Sequence, residues 1–452
     1  MTRSGSHAVV LGASLAGLFH TVPLAARFDH VTLVDRDVLP GGATHRGGVP
    51  QSHHIHLLVP GGVERLQSLL PGAVDELVAR GGHLIASPEW RFYMGGAQLA
   101  VEDEELAVAG ATRPLIEAVV RERVLAMDGV ELLDGWTARE LLTTRDRTRV
   151  TGVRLRSQAD PERHRTLDAD LVVDTTGRGS RSPGWLADLG YERPEEQRLQ
   201  VGVHYATRVF RRESDALDGC RHVLVDVPPE GTRGGVALAV EDDRWQVTLI
   251  GMLGERPETD LDGFTQYAAS LWRDDLHDLI DGATPLDDGT PRAFPSFSWH
   301  RYDRLGDLPD RYVVAGDAVC SFDPRFGQGM TVAMAEAMAL GAVLDEHGLG
   351  DVGRRTIEAA QPTVQDAWDL ATGADLAHPE VDGPRPIAWK LNNAYMERLL
   401  PVAHHDPDVA AALIRVIGML DRPPQLLAPR ILWRVLRDHR AEADPAPALT
   451  SG

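Results

Sequence analysis

"HAVVLGASLAGLFHTVPLAARFDHVTLVDRD", His7 to Asp37, is the stretch that decides the fold. Ala8 to Leu11 is a short unbroken apolar run, as expected for a strand buried on both faces of a parallel sheet. Gly12, Ser14 and Gly17 follow in the G-x-G-x-x-G frame, with serine in the middle place. A helix is expected from Leu15, then a second strand from Val31 to Val34, ending at Asp35, which lies 18 residues after Gly17. Each part has a physical task in holding a dinucleotide. Gly12 permits the tight turn and Gly17 lets helix and strand close up. The helix start at Leu15 and Ala16 offers free N–H groups to a pyrophosphate, and Asp35 suits a ribose hydroxyl. Ser14 departs from the usual glycine, but its small hydroxyl fits and offers a hydrogen bond. Pro23 predicts a kink in the helix. The plainer alternative is an ordinary strand–turn–helix with incidental glycines.

At 452 residues the chain calls for two or three packed units. Hydrophobic residues make up 43% and charged residues 25%, the balance of a soluble globular protein. A formal charge of −21 works against nucleic acid or anionic lipid as a main partner. Two cysteines, Cys220 and Cys320, are too few for a disulfide framework and fit a reducing compartment. No leader pattern and no apolar run near the roughly 20 residues of a membrane span are seen, so a cytoplasmic location without a membrane span is expected.

A second glycine turn comes about 300 residues later. In "DRYVVAGDAVCSFDPRFGQGMTVAMAEAMALGAVL" a strand from Tyr312 to Ala315 leads to Gly316-Asp317. A loop with Pro324, Gly327 and Gly329 follows, and then a helix from about Met330 to Leu344. Between the two turns, "LDADLVVDTTGRGSRSPGWL" carries a strand from Asp170 to Val173, then Asp174, Gly177, Gly179, Ser180 and Arg181. "TRPLIEAVVRERV" sets Arg113 at a helix start.

In this order the four elements resemble the FAD-dependent monooxygenases of the para-hydroxybenzoate hydroxylase type (group A), and the polyether epoxidase and polyketide hydroxylase branch most of all. The resemblance implies that the first glycine loop, with Gly12, Ser14, Leu15, Ala16, Gly17, Asp35, Arg36 and Arg46, holds the ADP half of FAD. It implies that Asp317 serves the ribityl and pyrophosphate part. Pro324, Gly327, Gly329 and Met330 would approach the isoalloxazine ring, where the positive end of the following helix favours negative charge. Arg113 would reach the cofactor, with an exposed surface arginine as the alternative. Asp174 and Gly177 stand where the family has an Asp-Gly pair whose loop supports the cofactor, which would make both cofactor-binding residues. Here the segment reads "DTTGRGSR", which leaves the nicotinamide-related role of that element open.

"GGVPQSHHIHLL", Gly47 to Leu58, sets three histidines in four positions. Gly48, Val49, Pro50, Gln51, His54 and His56 match the corresponding segment of the polyether epoxidase branch, and His53 stands where those relatives carry arginine. With no fourth ligand in sight, a metal site is not expected. In an extended segment His54 and His56 share a face. They become candidates for a pocket wall and for catalysis, against the alternative of two satisfied structural histidines.

The expected architecture is α/β: a Rossmann-like FAD-binding domain interleaved with a β-rich substrate domain, plus a helical C-terminal region. The FAD domain would draw on 1–75, 105–185 and 300–345, and the substrate domain on 76–104 and 186–299. In the latter, "QVGVHYATRVF", "GGVALAV" and "RWQVTLIGML" read as an antiparallel sheet with a helical insert near Leu261 to Leu279. Residues 346–452 would be helical, with "AEADPAPALTSG" frayed. Tyr205, Arg208, Trp245 and Trp299 are candidates for the substrate cavity or for packing.

By resemblance, NAD(P)H would act as a transient reductant and O2 would add to the flavin. A flavin hydroperoxide would then hydroxylate or epoxidise a small organic, natural-product-like molecule. The sequence leaves the oligomeric state open. Other readings are a cyclase that uses FAD structurally, a geranylgeranyl-reductase-like flavin reductase, a halogenase and an FAD-binding sensor. The halogenase needs a lysine beyond the first motif and a Trp-x-Trp signature. The sole lysine is Lys390 and no Trp-x-Trp occurs.

Overall fold

The computed structural model describes residues 4–213 and 216–437. The frayed tail expected at 441–452 lies outside the described residues. Five strands form a parallel sheet in the order Tyr312–Val314, Leu171–Asp174, Gly5–Leu11, Phe28–Val34, Val130–Leu133. All four pairings are parallel. The strands of both glycine turns and of the Asp174 segment thus end at one edge, side by side, with Leu11 beside Asp174 and Asp174 beside Val314. The helices Leu15–Ala25 and Gly329–His347 follow their turns and pack together through Leu18, Met334 and Ala337 in one core. The first two strands begin three residues earlier than their apolar runs, because Gly5–His7 and Phe28–His30 include exposed or half-buried positions that periodicity does not mark. The first helix continues through Pro23 for two more residues.

The larger sheet has eight strands and includes the three expected runs, at Glu196–Arg211, Arg233–Val240 and Arg244–Gly251. These pair antiparallel. One neighbour departs from the expectation: His222–Val225 pairs parallel to Trp90–Met94. Alternation fixes which side chains share a face and says nothing about strand direction. The helical insert is two helices, Leu261–Ala269 and Asp275–Ile280.

Two pairings join segments expected in different units. His83–Ala86 pairs with Ala107–Gly110, and Cys320–Ser321 adds to the edge of the eight-stranded sheet. The C-terminal part is helical at Val352–Asp375, Ile387–Ala403, Pro407–Ile417 and Pro429–Arg437. Among the described residues no helix is long and apolar enough to cross a membrane.

Candidate functional site

A cavity of about 1880 Å³ lies between the parallel sheet, the cavity face of the large sheet and the C-terminal helices. Ordinary single-ligand pockets are about 300–1,000 Å³, so this one has room for two guests. Of the residues read from the sequence, Gly12, Ser14, Leu15, Ala16, Asp35, Arg36, Arg46, His54, His56, Arg113, Gly177, Asp317, Pro324, Gly327, Gly329 and Met330 all line it.

Gly17 and Asp174 do not reach the cavity. Gly17 faces the carbonyl of Gly12, where a Cβ would come within 1.7 Å of the oxygen. Asp174 is fully buried behind its loop. It accepts from the Thr176 N–H at 2.9 Å, from the Thr176 hydroxyl at 2.6 Å and from Ser180 at 2.7 Å, and it also bonds Ser182. Asp174 therefore folds the turn whose residue Gly177 lines the cavity.

The first turn is held by sterics and hydrogen bonds. Gly12 has φ +96°, a conformation open to glycine, and Thr175 donates to the Leu11 carbonyl at 2.8 Å. Helix Leu15–Ala25 starts at Ser14 without a side-chain cap, so its first N–H groups open on the cavity. Helix Gly329–His347 starts at Gln328, also uncapped, and Gly329 and Met330 line the same cavity. Two positive helix ends therefore converge on one space.

Behind the first turn runs an ionic network. Asp35 accepts from the Ala13 N–H at 2.7 Å and from the Asp37 N–H at 2.9 Å, and pairs with Arg46 at 3.2 Å. Arg46 donates to Glu117 at 2.9 Å and to Asp37 at 3.1 Å. Arg113 donates to the Ser14 hydroxyl at 2.9 Å and lies 3.5 Å from Glu117. Arg113 is buried, which excludes the surface alternative. Burial pulls its guanidinium down, while Glu117 and Asp317 push it back up.

Sequence reasoning missed Glu117. A signal was present: in "RPLIEAVVR" it stands four residues from both Arg113 and Arg121, the spacing of helical ion pairs.

Glu336 was missed as well. It accepts the Gly316 N–H at 2.8 Å from helix Gly329–His347. Burial, with Asp317 adding to it, raises its carboxyl from the usual 4.5 to about 8. A carboxyl raised in the folded state gives stability that is complete below the unfolded value and is lost as pH climbs to the folded one. Glu336→Gln keeps the acceptor and removes the titration. We expect its urea midpoint to match wild type near pH 4 and to exceed it at pH 8 by more than about 1 kcal/mol in unfolding free energy. Equal pH slopes for the two proteins would refute this.

The three histidines do not converge. His53 stacks on His45 at 3.8 Å and lies outside the cavity lining. His54 has Nδ1 2.7 Å from the Thr207 hydroxyl, and its buried Nε2 has no protein partner. His56 has Nδ1 2.9 Å from the carbonyl of His54. Burial, helped by Arg292, holds His54 at about 4; burial, helped by Arg113, holds His56 at about 3. Both are neutral imidazoles at neutral pH. Of the four residues considered for the guest cavity, Tyr205 lines it. Arg208 is spent on the carbonyls of Thr259, Asp287 and Asp288, and Trp245 and Trp299 are core.

Protein Rv3254 of Mycobacterium tuberculosis (strain ATCC 25618 / H37Rv) is 32% identical over 431 residues, which cover 92% of this chain and 90% of that protein. The chain belongs to the Rv3254 family. No protein-family model matches it. Among solved structures, p-nitrophenol 4-monooxygenase PnpA from Pseudomonas putida DLL-E4 superposes with a TM-score of 0.63 at 18% identity, covering 93% of this chain and 99% of PnpA. The flavin-dependent brominase Bmp2 superposes equally well, at 0.63 with 13% identity, covering 92% and 93%. The Rv3254-family chain thus has the α/β fold shared by these flavoproteins, and at such identities the likeness speaks for the fold alone.

Proposed function

We propose that this Rv3254-family protein is an FAD-dependent monooxygenase that places one oxygen atom from O2 on a small organic guest, with NAD(P)H as transient reductant. One observation carries the reading: two uncapped helix starts about 300 residues apart, with Arg46 and Arg113, line a single cavity with room for a dinucleotide and a second molecule. The residues present fit FAD. The N–H groups of Leu15 and Ala16, with Arg113, suit the pyrophosphate. Asp35 uses three acceptor sites on Ala13, Asp37 and Arg46, which leaves capacity for one ribose hydroxyl. Asp317, which lines the cavity, would serve the ribityl part, and the N–H groups of Gly329 and Met330 would suit the electron-rich edge of the ring.

When bound, FAD supplies the reduction by NAD(P)H and the activation of O2. The chain holds the cofactor, keeps water from the reacting edge, and seats the guest against Tyr205, His54 and the cavity face of the large sheet. In this reading 1–75, 105–185 and 300–345 are the cofactor domain, and 76–104 with 186–299 the guest domain. Hydroxylation and epoxidation of a natural-product-like molecule are both open to such a site.

The test is aerobic NAD(P)H oxidation by the FAD-loaded protein with a panel of candidate metabolites, with 18O2 tracing. Guest-stimulated oxidation with one labelled atom in the product supports the reading. Product formed without O2 or NAD(P)H points instead to a cyclase, and a reduced double bond under anaerobic conditions to a reductase. His54→Ala and His56→Ala are each expected to lower guest-stimulated oxidation about tenfold, the effect of one lost hydrogen bond, with FAD retained. Unchanged turnover in both variants would reduce the two histidines to scaffolding.

A further inference from the structure

Along strand His222–Val225, Val223 and Val225 pack into a core with Phe264 and Leu276, while His222, Leu224 and, one residue past the strand, Asp226 line the cavity, which Val225 also borders. Asp226 is the unusual member. Its Oδ2 accepts the Gly95 N–H at 3.1 Å, and its Oδ1 is buried with no protein partner. Its main-chain carbonyl is fixed by the Trp272 indole at 3.0 Å.

The nearby cations are engaged elsewhere. Arg325 is held between Asp323 and Asp375. Arg273 lies 4.5 Å over the Tyr93 ring and 3.5 Å from Asp275. The cavity wall carries Phe92, Met94, Leu224 and Trp272 beside this strand and Met396 and Leu400 from helix Ile387–Ala403, with Glu230, Asn393 and Glu397 as polar members of the same lining. Burial raises the Asp226 carboxyl to about 7, against the Gly95 hydrogen bond and the charge of Arg325.

A carboxylate with a free oxygen among apolar side chains selects its guest by charge. A neutral hydrocarbon leaves it unpaired, and an anion is repelled at low dielectric. A cation whose apolar body fills the rest of the space satisfies both requirements. We infer that Asp226 is a specificity-determining anchor for a bulky apolar guest bearing a protonated amine. The inference deepens the proposed function, since it rests on that reading of the large sheet's cavity face as the guest's seat.

The experiment is equilibrium dialysis of the FAD-loaded protein at mildly alkaline pH against three probes of one shape: 1-pyrenemethylamine, 1-pyrenemethanol and 1-pyrenecarboxylate. The amine is expected to bind at least about tenfold more tightly than the alcohol, and the carboxylate most weakly. Asp226→Asn keeps the acceptor for Gly95. It should bring amine and alcohol within about twofold of each other without changing alcohol affinity. An amine no better than the alcohol, a carboxylate that binds best, or a preference that survives in D226N overturns the inference.

If D226N loses the alcohol too, the wild-type pH profile decides. The amine preference must fall as the carboxyl protonates, and a flat profile overturns the proposal. FAD content and NAD(P)H oxidation are read on the same preparation. A colourless or inert protein therefore condemns the oxygenase reading, while a yellow, active protein without amine preference condemns only the anchor.

Discussion

Gly17→Ala is expected to give a colourless and destabilised chain. The new methyl would stand 1.7 Å from the Gly12 carbonyl oxygen and 2.9 Å from the Thr175 hydroxyl. Neither neighbour can step aside. The Gly12 carbonyl belongs to a turn at φ +96°, and the Thr175 hydroxyl is bonded to the carbonyls of Leu11 and Gly12. The whole helix Leu15–Ala25 must therefore lift from the strand end, which carries the N–H groups of Leu15 and Ala16 away from the cavity. Overpacking of this kind costs about 3 kcal/mol, and the misplaced helix start should leave FAD content below about a tenth of wild type. Gly47→Ala is the control, because nothing lies within 4 Å of its added methyl. Unfolding curves and the flavin absorbance of purified proteins check both. A yellow G17A protein of wild-type stability would contradict the account of the first turn.

That turn was legible because its determinants are local. A glycine whose Cβ would strike the backbone five residues earlier leaves its mark in spacing alone, as does an acid at the end of the next strand. Arg113 was legible as a helix start, and its burial was not, because burial depends on the packing of helix Arg113–Leu125 behind Ser14. Glu117 acquires its role through that same packing. Asp174 is expected from the sequence as a cofactor-binding residue, yet the 175–182 loop folds its own hydroxyls and N–H groups onto the carboxylate and turns it inward. His222 and Asp226 carry no motif at all. Which face of their strand meets the cavity is settled by pairing with Trp90–Met94, a segment about 130 residues away and parallel rather than antiparallel. Local sterics thus revealed the glycine-turn end of the cavity, while long-range sheet assembly, which composition does not encode, built the end at the large sheet.

The other large effect is expected at Arg325, in the loop that leads to Gly327 and Gly329. Its guanidinium donates to Asp323 at 2.8 Å, bonds Asp375 at the end of helix Val352–Asp375, and reaches the Met252 sulfur at 2.8 Å. Both carboxylate side chains are fully buried. They keep the guanidinium charged despite its burial, while burial and the neighbouring Asp323 push the Asp375 carboxyl well above the usual range. Arg325→Met preserves much of the volume and removes the charge. Two acids then remain in a dry interior, and breaking a buried pair in this way costs about 3–5 kcal/mol. The pH dependence follows from the sign of the shift. Asp375 is held above its unfolded value and the arginine's charge pulls it down, so without the arginine its contribution is complete below the unfolded value and is lost as pH rises. The variant should therefore fall less far below wild type at pH 5 than at pH 8, the reverse of ordinary acid sensitivity. Adding Asp375→Asn removes one of the two stranded charges and should recover roughly half of the loss at pH 8. Because the same arginine fixes the loop before the second helix start, R325M should also bind FAD more weakly at pH 8 than at pH 5. Urea midpoints and flavin retention at the two pH values measure both effects, and an equal loss at both would mean that the triad is not what holds this loop.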